Sequence, residues 1–140
     1  MKPRKRVRTG APWEAVAGYS RAVQVGSQLF ISGTAPVDDG GNVVGRGDPY
    51  AQTKRCIEII AASLAEVGGG LEHVVRTRMY VTDINQWVDI ARAHQESFGS
   101  IMPATTMVEV SRLIDSDMLV EIEADAVLDA APLSGQAGSD

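Results

Sequence analysis

The sequence predicts an α+β fold in which two helices cover one face of a six-stranded mixed sheet. From Val120 to Ala126, apolar residues alternate with acidic ones, which is the period of a strand with one buried face. A helix is indicated between Asp48-Pro49, which cap and start it, and Gly68-Gly69-Gly70, which end it. The stretch from Val75 to Val110 is a strand–helix–strand unit, so its two strands should be parallel.

Three strands are predicted before the first helix, at residues 6–9, 20–25 and 28–33. Gly26-Ser27 separates the last two and is typical of a two-residue hairpin. The segment GAPWEAVAGY between the first two strands is interpreted as a loop. A second loop, from Pro36 to Asp48, is rich in turn-forming residues and is expected to be a mobile rim.

Two helices and three more strands complete the prediction. The first helix extends to about Val67, and a strand follows at residues 73–81. The second helix begins near Asp83 or Asn85 and ends near Phe98. One of its faces combines aromatic, aliphatic and histidine side chains, namely Trp87, Ile90, Ala91, His94 and Phe98. Two strands then follow between Pro103 and Asp125, separated by the polar break Asp115-Ser116-Asp117.

Both helices must cover the same face of the sheet, which leaves the opposite face bare. In the strand after Pro103 we assign Val108 and Val110 to the helix-covered face. The side chains assigned to the bare face are mostly charged: Arg76, Arg78, Thr105, Met107, Glu109, Glu121, Glu123 and Asp125. Such a face is completed when copies of the chain bury it with Arg and Glu paired across strands or subunits, so an oligomer is expected.

Composition limits the possible classes of protein. The chain has 140 residues, 44% of them apolar and 22% charged, which fits one globular domain at residues 1–129 with a disordered tail at 130–140. No apolar run is long enough to span a membrane, and the single Cys56 fits a buried position in a cytoplasmic protein. The net charge of −5 disfavours a nucleic-acid binder, and no metal-ligand spacing occurs. Residues 2–8 are locally basic and are interpreted as a solvated arm, with nucleic-acid contact as the alternative.

Short motifs along the chain resemble those of the Rid family, the RidA/YjgF reactive-intermediate deaminases, some of which carry an older endoribonuclease label. They occur in the family's order: Tyr19, Ile31-Ser32-Gly33-Thr34-Ala35-Pro36, Tyr50-Ala51-Gln52-Thr53, Val81-Thr82-Asp83, Pro103-Ala104-Thr105-Thr106 and Val120-Glu121-Ile122-Glu123. The resemblance implies a chorismate-mutase-like fold in a homotrimer with a central β-barrel. It also places the strand at residues 75–81 between the last two strands, with substrate clefts between subunits.

Active relatives hydrolyse imines and enamines to a 2-oxo acid and ammonia without a cofactor or metal. The resemblance implies that Glu121 holds the attacking water and that Tyr19, Ser32 and Gly33 line the cleft. The family's arginine, which grips the substrate carboxylate, is replaced here by Thr105. Because a threonine hydroxyl carries no charge, the bidentate clamp is lost, at a cost of about 1.5–3 kcal/mol in binding. Met107 would in addition narrow the cleft.

Each candidate residue also has a structural interpretation. Glu121 is either the functional acid or a partner of Arg76 or Arg78 at a subunit seam. Arg78 either supplies the cation that Thr105 lacks or pairs with Glu121 or Glu109. His94 either reaches a neighbour's cleft or is a satisfied core histidine. Tyr19 and Ser32 either line the cleft or have structural roles, Tyr19 as a buried phenol and Ser32 as a hydroxyl at the end of a strand. Thr105 and Thr106 bind a neutral polar group or are simply strand formers.

Three functions follow from these interpretations. The first is a trimeric hydrolase of a small imine, enamine or related C=N metabolite, with specificity altered by Thr105. The second is a trimer without catalytic activity that binds a small metabolite or a partner protein. The third is an endoribonuclease, which the acidic balance and the lack of a His/His or His/Lys pair disfavour.

Overall fold

The computed structural model describes residues 3–128, so the tail predicted at 130–140 lies outside the described residues. The strands are β1 (Arg4–Val7), β2 (Ala22–Val25), β3 (Gln28–Thr34), β4 (Val74–Val81), β5 (Ala104–Glu109) and β6 (Val120–Val127). The helices are α1 (Pro12–Ala17), α2 (Pro49–Ala65) and α3 (Trp87–Phe98). Single 3₁₀ turns at Leu71–His73 and Ile84–Gln86 lead into β4 and α3.

The six strands form one mixed sheet in the order β1-β2-β3-β6-β4-β5. Only β4 and β5, which flank α3 in the chain, pair in parallel, and the other neighbours are antiparallel. This confirms the predicted six-stranded mixed sheet and the position of β4 between β5 and β6. Helices α2 and α3 pack together, and α2 lies on β3 and β6 at the centre of the sheet.

The core lies between these two helices and the sheet, and its largest fully buried side chains include Leu29, Ile60, Leu64, Ile90, Phe98 and Ile122. Gln52 of α2 is also fully buried. Its amide donates to the carbonyl of Asp117 (2.8 Å) and accepts from the N–H of Leu119 (2.7 Å), so the segment entering β6 is fixed to α2. Cys56 is fully buried, and burial raises the pKa of its thiol, as expected for a core cysteine rather than a nucleophile.

Helix α1 occupies a segment that we predicted to be a loop. Pro12 stands in its first turn, and Gly18 ends it with a left-handed φ of 77°. Glu14 accepts hydrogen bonds from the amide N–H (3.2 Å) and hydroxyl (2.5 Å) of Thr9, which attach the helix to the end of β1. The helix was missed because it has only six residues and its N-cap, Ala11, has no capping side chain.

The faces that we assigned in β5 were wrong. The register aligns Thr105, Met107 and Glu109 with the buried residues of β4, so they lie on the helix-covered face. Val108 lies on the other face, where 42% of it is exposed. Alternation alone could not decide this, because β5 is an edge strand where burial is shallow on both faces. Met107, the longer side chain, packs against the core in place of Val108.

Smaller differences also have local causes. The first strand begins at Arg4, so the basic arm forms part of the sheet. Helix α2 ends at Ala65 rather than near Val67, because Gly68 turns left-handed (φ 78°) and the N–H of Gly69 donates to the Leu64 carbonyl at 2.8 Å. Trp87 was predicted to share one face of α3 with Ile90 and Phe98, but those two are buried whereas Trp87 is 54% exposed. Within the described part of the chain, no helix combines the length and apolarity needed to cross a membrane.

We predict that Ile60→Ala lowers the free energy of unfolding by about 2–5 kcal/mol, because it leaves a cavity where α2 meets the sheet. Val88→Ala on the outer side of α3, where Val88 is 58% exposed, is the control and should change it by less than about 0.5 kcal/mol. Urea unfolding followed by circular dichroism measures both. Equal effects of the two substitutions would contradict the placement of the core.

Candidate functional site

Glu121 lies on the face of the sheet that no described helix covers. Its strand neighbours Val120 and Ile122 are fully buried under the helices, so alternation directs Glu121 to the opposite side, beside Tyr80. The carboxylate is half-buried, and no described residue donates a hydrogen bond to it. Burial raises its pKa above the usual value for Glu, and the nearby Glu123 acts in the same direction, whereas the charge of Arg21 opposes both.

A bulge in β3 brings Gly33 against this carboxylate. The pairing of β3 with β6 shifts register between Ile31 and Thr34, so Ser32 and Gly33 fall in the irregular part of the strand. A methyl group added at Gly33 would overlap Oε2 of Glu121. A side chain at this position would push the Glu121 carboxylate aside, so Gly33 and Glu121 are in direct contact across β3 and β6.

Arg21 holds the bulge in place and was missed in the sequence analysis. Its side chain is 9% exposed, and one guanidinium nitrogen donates to the carbonyls of Ser32 (2.7 Å) and Gly33 (2.5 Å). The Nε atom is buried and has no partner among the described residues, and burial lowers the pKa of the guanidinium. The Ser32 hydroxyl donates to the Ser20 carbonyl at 2.7 Å. The one signal for Arg21 in the sequence is its position between Tyr19 and the hairpin, directly before β2.

Tyr19 and Ser32 line an open cleft of about 420 Å³ between the start of the chain, α1 and the edge of the sheet. Arg6, Arg8 and Glu14 also line it. The structure therefore brings Tyr19 and Ser32 together in one cleft. It adds two arginines from the N-terminal arm that the sequence analysis had interpreted as solvated.

Thr105 and His94 belong to a second cluster on the helix-covered face. The buried hydroxyl of Thr77 contacts Nε2 of His94 at 2.9 Å and the hydroxyl of Thr105 at 2.8 Å. Burial lowers the pKa of His94, and its ring lies 4.6 Å from that of Phe98 between centroids. Thr105 remains exposed at the edge of the sheet, so this cluster reaches the molecular surface along β5.

Arg78 has acidic partners other than those we predicted. It contacts Glu123 at 3.4 Å and Asp125 at 3.2 Å, whereas pairing with Glu121 or Glu109 was expected. The register is the reason, because it places Arg78 opposite Glu123 and places Glu121 opposite Tyr80. Arg78 also aligns with Thr106, whereas Thr105 faces the helices, so Arg78 and Thr105 lie on opposite faces of one chain.

The model of the family described as Endoribonuclease L-PSP matches residues 9–128. The chain belongs to the Rid/YjgF family. An uncharacterized protein of Streptomyces coelicolor is 39% identical over 122 residues, which is 87% of this chain and 90% of that protein. A RutC family protein of Pyrococcus abyssi is 40% identical over 109 residues, covering 78% of this chain and 85% of its own length.

Solved structures of Rid/YjgF proteins share the fold. A member of the YjgF/YER057c/UK114 family from Mycobacterium tuberculosis superposes with a TM-score of 0.82 at 42% identity, covering 90% of this chain and all of that one. TdcF of E. coli with bound serine superposes with a TM-score of 0.71 at 28% identity, covering 78% and 87%. In this Rid/YjgF chain the candidate residues fall into two groups on opposite faces of the sheet, one around Glu121 and one around Thr105.

We predict that Arg21→Gln raises the pKa of Glu121 further, because it removes the cation that favours the charged carboxylate. Arg21→Lys keeps the charge and should have a smaller effect, and Arg92→Gln on the outer surface of α3 should have none. A carbon-detected NMR titration of the Glu121 carboxyl group measures all three. An unchanged pKa in Arg21→Gln would contradict the assignment of Arg21 as the cation that opposes the effect of burial on Glu121.

Proposed function

We propose that the protein is a hydrolase of small imines, enamines or related C=N compounds, with its active sites between the subunits of a homotrimer. The observation that carries the proposal is the half-buried carboxylate of Glu121, which has a raised pKa and no hydrogen-bond donor among the described residues. A carboxylate in that state has lone pairs available for a water molecule or a substrate. Membership in the Rid/YjgF family supports this class of reaction.

The trimer is proposed because one chain holds two incomplete groups of candidate residues. Tyr19, Ser32 and Gly33 lie on the β2–β3 side of Glu121, which is on the central strand β6, whereas Thr105 lies on the edge strand β5 and on the opposite face of the sheet. Two chains that place these ends together would complete one cleft, and three chains in a closed ring would complete three. The uncovered face, with Arg78 paired to Glu123 and Asp125, would then be buried.

In the proposed mechanism Glu121 first acts as a general base. The carboxylate takes a proton from water as the oxygen attacks the carbon of the C=N group, and passes that proton to the nitrogen to give a carbinolamine. Glu121 then takes the proton of the carbinolamine hydroxyl and gives it to the nitrogen, so that the C–N bond breaks, the carbonyl forms, ammonia leaves and Glu121 is again a carboxylate. A carboxyl group with a raised pKa suits both steps, because the driving forces for taking and returning the proton are better balanced near neutral pH.

The surrounding residues would bind the rest of the substrate. Backbone N–H groups near Gly33 and the hydroxyls of Ser32 and Tyr19 would hold its polar end. His94, held neutral by burial, would reach the cleft from the α3 side through the cluster with Thr77 and Thr105. TdcF of E. coli has serine bound in its solved structure, so one relative accepts a small amino acid. Thr105, exposed on the edge strand, would contact a neutral polar group here.

A second candidate function is a trimer that binds a small metabolite without converting it. The observation that favours it is Thr105, which cannot make the bidentate contact of an arginine and is already hydrogen-bonded to Thr77. The two functions differ in their dependence on Glu121. Binding alone does not need a proton acceptor, whereas hydrolysis does.

We predict that the protein accelerates release of 2-oxobutanoate from the imine that threonine dehydratase produces, measured in the presence of a competing imine trap. Glu121→Gln should lower this acceleration about a hundredfold or more, because the general acid–base is lost. Glu58→Gln, which removes an exposed acid on α2, is the matched control. The rate should fall as the pH decreases through the pKa of Glu121. Because this pKa is raised, the fall should occur at a higher pH than it would for a Glu with its usual pKa.

Thr105→Arg separates altered specificity from loss of activity. If only the carboxylate clamp is missing, this variant should be faster than the wild-type protein on the same imine. Full activity in Glu121→Gln would contradict the proposal. If the wild-type protein and Thr105→Arg both lack activity yet still bind the product, the metabolite-binding function is correct instead.

A further inference from the structure

The cleft beside Tyr19 and Ser32 carries two arginines that neither the family resemblance nor the proposed mechanism uses. Arg6 lies in β1 and Arg8 just after it, on either side of Val7, which is 6% exposed and belongs to the core. Alternation therefore directs both arginines away from the core, toward the cleft that they line. Neither forms an ion pair with any described residue.

The balance of charge in this cleft is positive although the chain as a whole has a net charge of −5. Glu14 is the acidic residue among those that line it, and its carboxylate is already bonded to the amide and hydroxyl of Thr9. Glu14 is also only 7% exposed, so a ligand in the cleft meets the two guanidinium groups before it meets that carboxylate.

Two other arginines discussed above, Arg21 and Arg78, are already engaged. Arg21 donates to the carbonyls of Ser32 and Gly33, and Arg78 contacts Glu123 and Asp125. A substrate anion near Tyr19 and Ser32 therefore meets Arg6 and Arg8 as the cations with free donors. Their planar guanidinium groups suit the paired oxygens of a carboxylate or a phosphate.

We propose that Arg6 and Arg8 bind the anionic group of the substrate, a carboxylate or a phosphate, from the β1 side of the cleft. The cation that Thr105 cannot provide on β5 is then supplied by the N-terminal strand. This inference rests on the proposed function for the identity of the adjoining reaction centre, but the binding of an anion can be tested without any reaction. It also gives the basic start of the chain a specific role.

The test is isothermal titration calorimetry of the full chain with 2-oxobutanoate, with inorganic phosphate and with 2-butanone, in which a methyl group replaces the carboxylate. The variants are Arg6→Gln, Arg8→Gln and the double substitution. Lys5→Gln is the matched control, because it removes the same charge from the same strand at a residue that does not line the cleft. Circular dichroism and sedimentation of each variant verify that fold and assembly are retained.

The double substitution should weaken the binding of 2-oxobutanoate at least tenfold, and Lys5→Gln should weaken it less than twofold. The binding of 2-butanone should not change in any variant. Binding of the wild-type protein should also weaken as salt is added. If phosphate, rather than 2-oxobutanoate, shows this dependence on Arg6 and Arg8, the anion is a phosphate. Equal losses in Lys5→Gln and the double substitution, or no binding of either anion, would overturn the inference.

Failure of this inference is distinguishable from failure of the proposed function. Binding that depends on Arg6 and Arg8 and is retained in Glu121→Gln supports the anion site even if no hydrolysis is found. Conversely, hydrolysis that depends on Glu121 but has an unchanged KM in the double substitution would overturn the anion site and leave the hydrolase intact.

Discussion

The alternation of residues in β6 is the constraint on which the rest of this structure depends. Val120, Ile122 and Ala124 are fully buried beneath α2 and α3, and this fixes the opposite orientation for Glu121, Glu123 and Asp125. A shift of one residue in the register would exchange the two sets and bury three carboxylates under the helices. The hydrophobic core therefore determines where the acidic groups lie, and the contacts of Gln52 with the segment before β6 support the same register.

The three acidic residues of β6 have different environments on that common face. Glu123 and Asp125 contact Arg78, and Glu123 also accepts a hydrogen bond from Tyr80 at 2.8 Å. Glu121 has no such donor and lies against the glycine of a bulge whose carbonyls are held by a buried arginine. Two carboxylates thus serve to hold strands together, whereas the third stays available, with its pKa set by burial against the charge of Arg21.

The sequence predicted those features that depend on strong, repeated patterns. The faces of β6 follow from four apolar residues in strict alternation, and α2 from its Asp48-Pro49 start and its glycines. The contacts of individual side chains depended on register, which no local pattern encodes. Thr105 was assigned to the wrong face because threonine and methionine in an edge strand show no clear preference for the buried or the exposed face. Arg78 was expected to pair with Glu121, but the register places it opposite Glu123, two residues further along β6. Arg21 was missed because its burial arises from a bulge in a neighbouring strand.

The proposed site requires that the uncovered face and the edge strand β5 are completed by other copies of the chain. Sedimentation velocity of the wild-type protein at low micromolar concentration tests this requirement most directly. We expect a single species of about 45 kDa, which is three copies of the 14.9 kDa chain. A species of 14.9 kDa that persists as the concentration is raised would contradict the account, because no cleft shared between subunits would then exist.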